Sequence, residues 1–256
     1  MRVPSAFATV AVLIALAGCG SGGGGSVPRG NPDLRHGPAA VDNYSSVELI
    51  RALLISSSDA YYAGGSAGDA RTQLSRARAG YDVLAGRVKA NDPIVDREVV
   101  ARFDLLAKDL RRGVRPDHYR DLAGPLSDQL MDGVSQALVP QKARTDRGLQ
   151  AEALRRVTAR LDATYDASAT GVNATTARLA FQEAWGLWRR ALTLTALIKS
   201  SLGSEKGTVS GTLNNLRGSA FPNGPREVGS PPATKVDSAS NKVMNALMKR
   251  YGLSTA

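Results

Sequence analysis

The chain has 256 residues, a formal net charge of +10 and a hydrophobic content of 43%, enough for about one compact body. With aromatic residues at 5% and one cysteine, no internal disulfide is possible, and the apolar content, carried largely by alanine and leucine, favours closely packed helices. Two histidines and one cysteine leave too few ligands for the usual zinc or iron centres and no base for a catalytic triad, so neither enzyme activity nor a cofactor is expected.

Taken in chain order, Arg2 precedes an apolar run over 6–17 that is too short for a finished transmembrane helix and reads as the core of a secretory signal. It ends in Leu16-Ala17-Gly18-Cys19, which resembles the bacterial lipobox. That resemblance implies that 1–18 is a lipoprotein signal peptide and that Cys19 carries a diacylglyceryl group with palmitate-type chains. The domain would then lie outside the cytoplasm, anchored to the bacterial cell membrane. Export removes nucleic acid from the partners that a basic chain would otherwise suggest, leaving lipid headgroups and acidic wall polymers. Scattered charge that serves solubility alone is the other reading. Residues 19–40, rich in Gly and Ser and then punctuated by Pro, read as a flexible tether.

A bundle of about six helices is predicted over 41–202. Ser45-Ser46-Val47-Glu48 has the pattern of a capping box, opening a helix that runs to about Ala63 and stops at Gly64-Gly65. Leu74, Ala77, Tyr81, Leu84 and Val88 form the seam of a second helix over about 69–89. Asp92-Pro93 caps a third, to about Arg112, with Val99, Phe103, Leu106 and Leu110 inward. Between Arg115 and Val139 the prolines allow one short piece and one longer helix over about 126–138. Long helices over about 144–167 and 173–201 follow, the second being the most apolar, with Trp185 and Trp188 in its stripe. Composition makes 203–235 a flexible linker, and 236–256 holds a last helix over about 238–251. The predicted core includes Leu74, Tyr81, Leu84, Phe103, Val157, Leu161, Trp185 and Trp188.

Residues 47–88 match the chain 104 positions later without a gap: Glu48 falls on Glu152, Arg51 on Arg155, Tyr61 on Tyr165, Tyr81 on Trp185 and Leu84 on Trp188. Either a duplicated helical hairpin, packed about Tyr61, Tyr81, Tyr165 and Trp185, or two ordinary amphipathic hairpins would give this pattern.

Three carboxylate pairs stand one helical turn apart: Asp117/Asp121, Asp128/Asp132 and Asp162/Asp166. Such pairs bind a hard cation if further ligands join them, and otherwise lie on solvated helix faces. Lys108, Arg111, Arg112, Arg115 and Arg120 are candidates for gripping an anion, or for complementing the end of the third helix.

From Asp59-Ala60-Tyr61-Tyr62-Ala63-Gly64-Gly65 through Asp69-Ala70, Tyr81, Asn91-Asp92-Pro93 and Phe103-Asp104-Leu105-Leu106, residues 45–112 resemble the extracytoplasmic helical domain of bacterial high-affinity iron permeases. The chain departs from that family in having Asp82-Val83 where a glutamate commonly follows the aromatic residue, and in lacking the permease helices. The resemblance implies an accessory of iron or other inorganic-cation uptake that presents a carboxylate-lined site to a permease. The residues themselves point first to a membrane-tethered, non-enzymatic lipoprotein that binds a ligand or partner in the cell envelope.

Overall fold

The computed structural model describes residues 32–171, 173–226 and 233–253, and within them the fold is all-α, without a strand. The expected signal peptide, 1–18, and Cys19 lie outside the described residues. Six helices of 19 to 25 residues make the bundle: α2 (Pro38–Tyr62), α3 (Ala67–Asn91), α4 (Pro93–Arg111), α8 (Arg147–Thr170), α9 (Ala174–Ile198) and α11 (Ala233–Tyr251). Shorter helices connect them: α1 (Pro32–His36), α5 (Pro116–Pro125), α6 (Met131–Leu138), α7 (Gln141–Arg144) and α10 (Lys206–Ser219), with a π-helical turn, Leu126–Leu130, between α5 and α6.

Local chemistry sets most boundaries. Gly64, at φ 93°, ends α2 where other residues would be strained, and Ser66 caps α3 by accepting from the Asp69 N–H at 3.0 Å. Asp92 accepts from Ile94 and Val95, Asp146 from Gly148 and Leu149, and Asn173 from Thr176, so α4, α8 and α9 each begin on a side-chain cap.

Two apolar clusters share α2. Val47, Ile50, Leu54 and Tyr61 face one, with α3, α4, α5 and α6; Val41, Tyr44 and Ala52 face the other, with α8 to α11. A helix buried on nearly all sides cannot be amphipathic, which is why α2 also buries Asn43, Ser45, Glu48, Arg51 and three consecutive serines, Ser56 to Ser58. Helix α9 crosses it most closely at Gly186. A Cβ added there would overlap the Ala52 carbonyl oxygen and approach within 2.9 Å of Ser56 Cβ. All eight predicted core residues are buried.

Four expectations are corrected. Ser45 and Glu48 form no capping box: α2 starts at Pro38, seven residues earlier, and both side chains are buried inside it. The flexible tether expected over 19–40 is contradicted in its described part, because Pro32–His36 is already helical and Ala40 is in the core. Among the described residues of 203–235, the stretch read as a linker forms α10, whose Val209, Leu213 and Leu216 pack into the core with Phe221; scattered apolar residues at helical spacing outweigh the Gly- and Ser-rich composition. The two hairpins, α2–α3 and α8–α9, exist, but their second helices begin after capping residues 107 apart, Ser66 and Asn173, so a gapless match at 104 slips by about a turn. Tyr61 and Tyr81 fall in one cluster and Tyr165 and Trp185 in the other, so no shared aromatic centre joins the hairpins.

Gly186→Ala is expected to destabilise by on the order of 3 kcal/mol, because backbone must move to admit the methyl group. Gly86, in α3, has nothing within 4 Å of an added Cβ, so Gly86→Ala should instead stabilise by about 0.5–1 kcal/mol. Thermal melts of the two variants should shift in opposite directions.

Candidate functional site

Where α9 crosses α2, buried charges of the two helices pair with one another. Glu48 is 2% exposed, and its carboxylate accepts from the Arg190 guanidinium of α9 and lies 3.6 Å from Arg51 Nε. Arg51, 5% exposed, reaches on to the π-helical turn, where Nη1 donates to the Ser127 carbonyl at 2.9 Å and the Asp128 carbonyl at 3.3 Å, and Nη2 donates to the Asp132 carboxylate. Burial, reinforced by the Glu48 charge, pushes the neighbouring Tyr44 phenol well above the usual range, so it stays neutral.

Above this network lies a cleft of about 480 Å³ between α2, α5, the π-helical turn and α9. Its charged lining is Asp59, Arg120, Asp128, Arg189 and Arg190, with the hydroxyls of Ser58, Ser127 and Thr193 between them. Asp59 is held from one side only: Trp185 Nε1 donates to its Oδ2 at 2.9 Å and Arg189 lies 3.4 Å from the same oxygen. Arg120 stacks on the exposed ring of Tyr62, its guanidinium carbon 3.7 Å from the ring centroid. Neither Arg120 nor the Asp128 carboxylate has an ion-pair partner among the described residues. The cleft therefore presents both signs of charge, with Arg120 and Asp128 free of ion pairs among the described residues.

A second cleft, of about 550 Å³, opens between the two hairpins. Glu183 spans it, accepting from Arg76 of α3 at 2.9 Å on one oxygen and from Arg160 of α8 at 2.9 Å on the other. Both of its carboxylate oxygens are thus already satisfied by protein.

The structure separates the predicted site residues. Asp128 and Arg120, drawn from different sequence clusters, meet on the first cleft. Asp132 is occupied by Arg51, and Asp117 by Arg115 at 3.2 Å and by the His118 N–H. Asp121 and Asp166 are exposed on their helices. Burial first, then the charges of Asp237 and Asp166, raises the Asp162 carboxyl above its usual range. Among the described residues no three His, Cys, Asp or Glu side chains gather where they could hold a metal ion, so the expected metal-ligating pairs find no completing ligand. Of the expected anion-binding cluster, Lys108, Arg111, Arg112 and Arg115 are exposed around the end of α4, Arg111 facing a groove with Arg71 and Arg78 rather than joining Arg120.

Glu48, Arg51, Asp59, Arg189 and Arg190 were not among the predicted site residues. Their signal in sequence is a charge at a position that helical spacing places on an apolar stripe, as Glu48 stands between Val47 and Ile50, and Arg190 between Trp188 and Ala191. Comparison with protein-family models, with curated proteins and with solved structures finds no match.

Removing one partner of the buried network leaves an uncompensated charge, so Glu48→Gln should cost about 3–5 kcal/mol. Asp132 is 67% exposed, and Asp132→Asn should change stability by only about 0–1 kcal/mol in the same denaturant titration. At Asp162 the folded carboxyl sits above its unfolded value, so the ionised group opposes folding at neutral pH and ceases to do so once protonated in both states. Asp162→Asn should therefore raise the melting temperature at pH 7, and the gain should vanish below about pH 4.

Proposed function

We propose that this chain is a membrane-tethered, non-enzymatic lipoprotein of the bacterial cell envelope that binds a small ligand carrying a negative charge, with or without a positive one, in the cleft between α2, α5 and α9. The observation that carries the reading is that an unspent arginine, Arg120, and an unspent carboxylate, Asp128, line one wall of a polar cleft that Arg189 and Arg190 of α9 line as well, with the Glu48–Arg51–Arg190 network beneath it. Pre-set charges on rigid supports bind with little ordering cost, which suits recognition. The lipobox-like Leu16-Ala17-Gly18-Cys19 supplies the address, and two acyl chains on Cys19 would give stable anchoring where one is marginal.

Asp59 and Asp128 on one cleft are what favours the second reading, an accessory of inorganic-cation uptake that hands ions to a permease. Against it, three arginines line the same space, so an incoming cation meets a net positive wall.

Two measurements test the function. Cells expressing the chain should incorporate labelled fatty acid into it and hold it in the membrane fraction, whereas Cys19→Ser should lose the label. Thermal-shift screening of the purified chain with amino acids, dipeptides and sugar phosphates should find a stabilising ligand whose effect Arg120→Gln with Arg189→Gln removes. A shift produced by ferric or divalent ions and lost in Asp128→Asn would favour the cation reading instead.

A further inference from the structure

The point where the described chain begins is pinned to one end of the bundle. Arg35 and His36 of α1 hold the two oxygens of Asp146, at 3.2 and 2.9 Å, and Asp146 in turn caps α8. With burial opposing, the His36 contact, the Leu149 and Gly148 N–H groups and the Arg35 charge together keep this carboxyl below its usual range. The C-termini of α9 and α11 come to the same end. Tyr251 shares a 2.6 Å hydrogen bond with Ser201, Arg250 donates to the Ser201 carbonyl at 2.7 Å, and Tyr251 feels the charges of Arg147 and Asp146. Asp237, near the start of α11, acts on Asp162 far along α8, so these two helices run antiparallel and their opposite termini meet here.

This end is strongly basic. Lys142 and Arg144 lie just before α8, Arg147 opens it, Lys199 follows α9, and Lys249 and Arg250 close α11. Carboxylates at this end are already occupied: Asp146 by Arg35 and His36, Glu205 by Lys249 at 2.7 Å, and Asp42, near the start of α2, by Arg156 at 2.7 Å. Helix dipoles account for cations at the ends of α7, α9 and α11. They do not account for Arg147 at the first residue of α8 or Lys206 at the first residue of α10, where a cation is disfavoured. Excess positive charge is therefore a property of this surface and not of individual helix ends.

We infer that this basic end is a docking face for an anionic lipid surface, which turns the bundle so that the end carrying α1 lies against the membrane. The inference rests on the proposed anchor for its geometry: twelve residues separate Cys19 from Pro32, and a chain of that length reaches at most about 40 Å, so the anchor holds this end nearest the lipid. Charge complementarity with anionic headgroups then fixes its orientation. The cleft with Asp59 and Arg120 belongs to the other end of α2, at the far side from the lipid.

The test uses the purified full chain with vesicles of phosphatidylcholine alone and of phosphatidylcholine mixed with phosphatidylglycerol, at low and high salt. Insertion of lipid or of the apolar run would bind both vesicles alike; the docking face should add a preference for phosphatidylglycerol that salt removes. Lys142, Lys199 and Lys206 are exposed without ion pairs among the described residues, so changing all three to Gln should leave folding intact and cut that preference by roughly tenfold or more. The same change at Lys108, Arg111 and Arg112 should leave it intact. Equal loss from both sets, or no salt-sensitive preference in the parent, overturns the docking face. Failure of the anchor is separate: a chain without label at Cys19 that still prefers phosphatidylglycerol keeps the face and loses the anchor, whereas a labelled chain indifferent to headgroup charge keeps the anchor and loses the face.

Discussion

The contact on which the rest of the molecule depends is the crossing of α9 over α2 at Gly186. Only a residue without a side chain lets the two helices approach until α9 rests on the Ala52 carbonyl and Ser56 of its partner. That separation makes α2 a shared wall, with one apolar cluster on each side, and turns two hairpins into one body. Had α9 stood off by a methyl group, Ala52 and Ser56 of α2 would face a void instead of a helix.

Close approach has an electrostatic consequence. Along the side of α9 that faces α2 and the start of α3, buried and half-buried charges pair in turn: Glu48 of α2 with Arg190, Asp59 of α2 with Trp185, and Asp69 of α3 with Arg178 and Gln182, while the buried Ser45, Ser56 and Thr195 hydroxyls find no partner among the described residues. Asp69 is held below its usual range chiefly by the Arg178 hydrogen bond, against the opposing effect of burial. These pairs fix which residue of α9 sits beside which residue of α2 and of the start of α3, since a slip of one turn would leave them unpaired. A purely apolar crossing would tolerate such slips more readily, so the polar ladder gives the hairpins their register.

Periodicity made the long helices and the core legible from the sequence, because Leu, Val, Phe and Trp at alternating spacings of three and four mark the inward stripe of a packed helix. Caps such as Asp92 and turn glycines such as Gly64 were legible for the same reason: the local chemistry and the tertiary structure agree. Ser45 and Glu48 show where that reasoning stops. Their spacing is that of a capping box, yet both lie inside a helix because α9 buries them, and no local pattern reports a helix packed on from sequence positions more than a hundred residues away. The clefts were illegible likewise: Arg120 and Asp128 carry no spacing that relates them to Asp59 or Arg189. Composition misled over 203–226, where glycines and serines conceal Val209, Leu213, Leu216 and Phe221 at core positions.

The cleft owes its shape to a defect in helical regularity. Pro125 has no N–H to donate, so the ladder running from α5 into α6 cannot continue unbroken and widens into a π-helical turn over Leu126–Leu130. Within the turn the Met131 N–H still donates to the Asp128 and Leu126 carbonyls. Arg51 braces the turn from α2, donating to the Ser127 and Asp128 carbonyls while remaining charge-balanced by Glu48 behind it and Asp132 beyond. Because the Asp128 main chain is held by Arg51, its carboxylate has no structural duty and is left on the cleft wall with Arg120 and Arg189 nearby. The crossing at Gly186 thus reaches the cleft in three steps: it buries Glu48, Glu48 balances the charge of Arg51, and Arg51 holds open the turn that places Asp128.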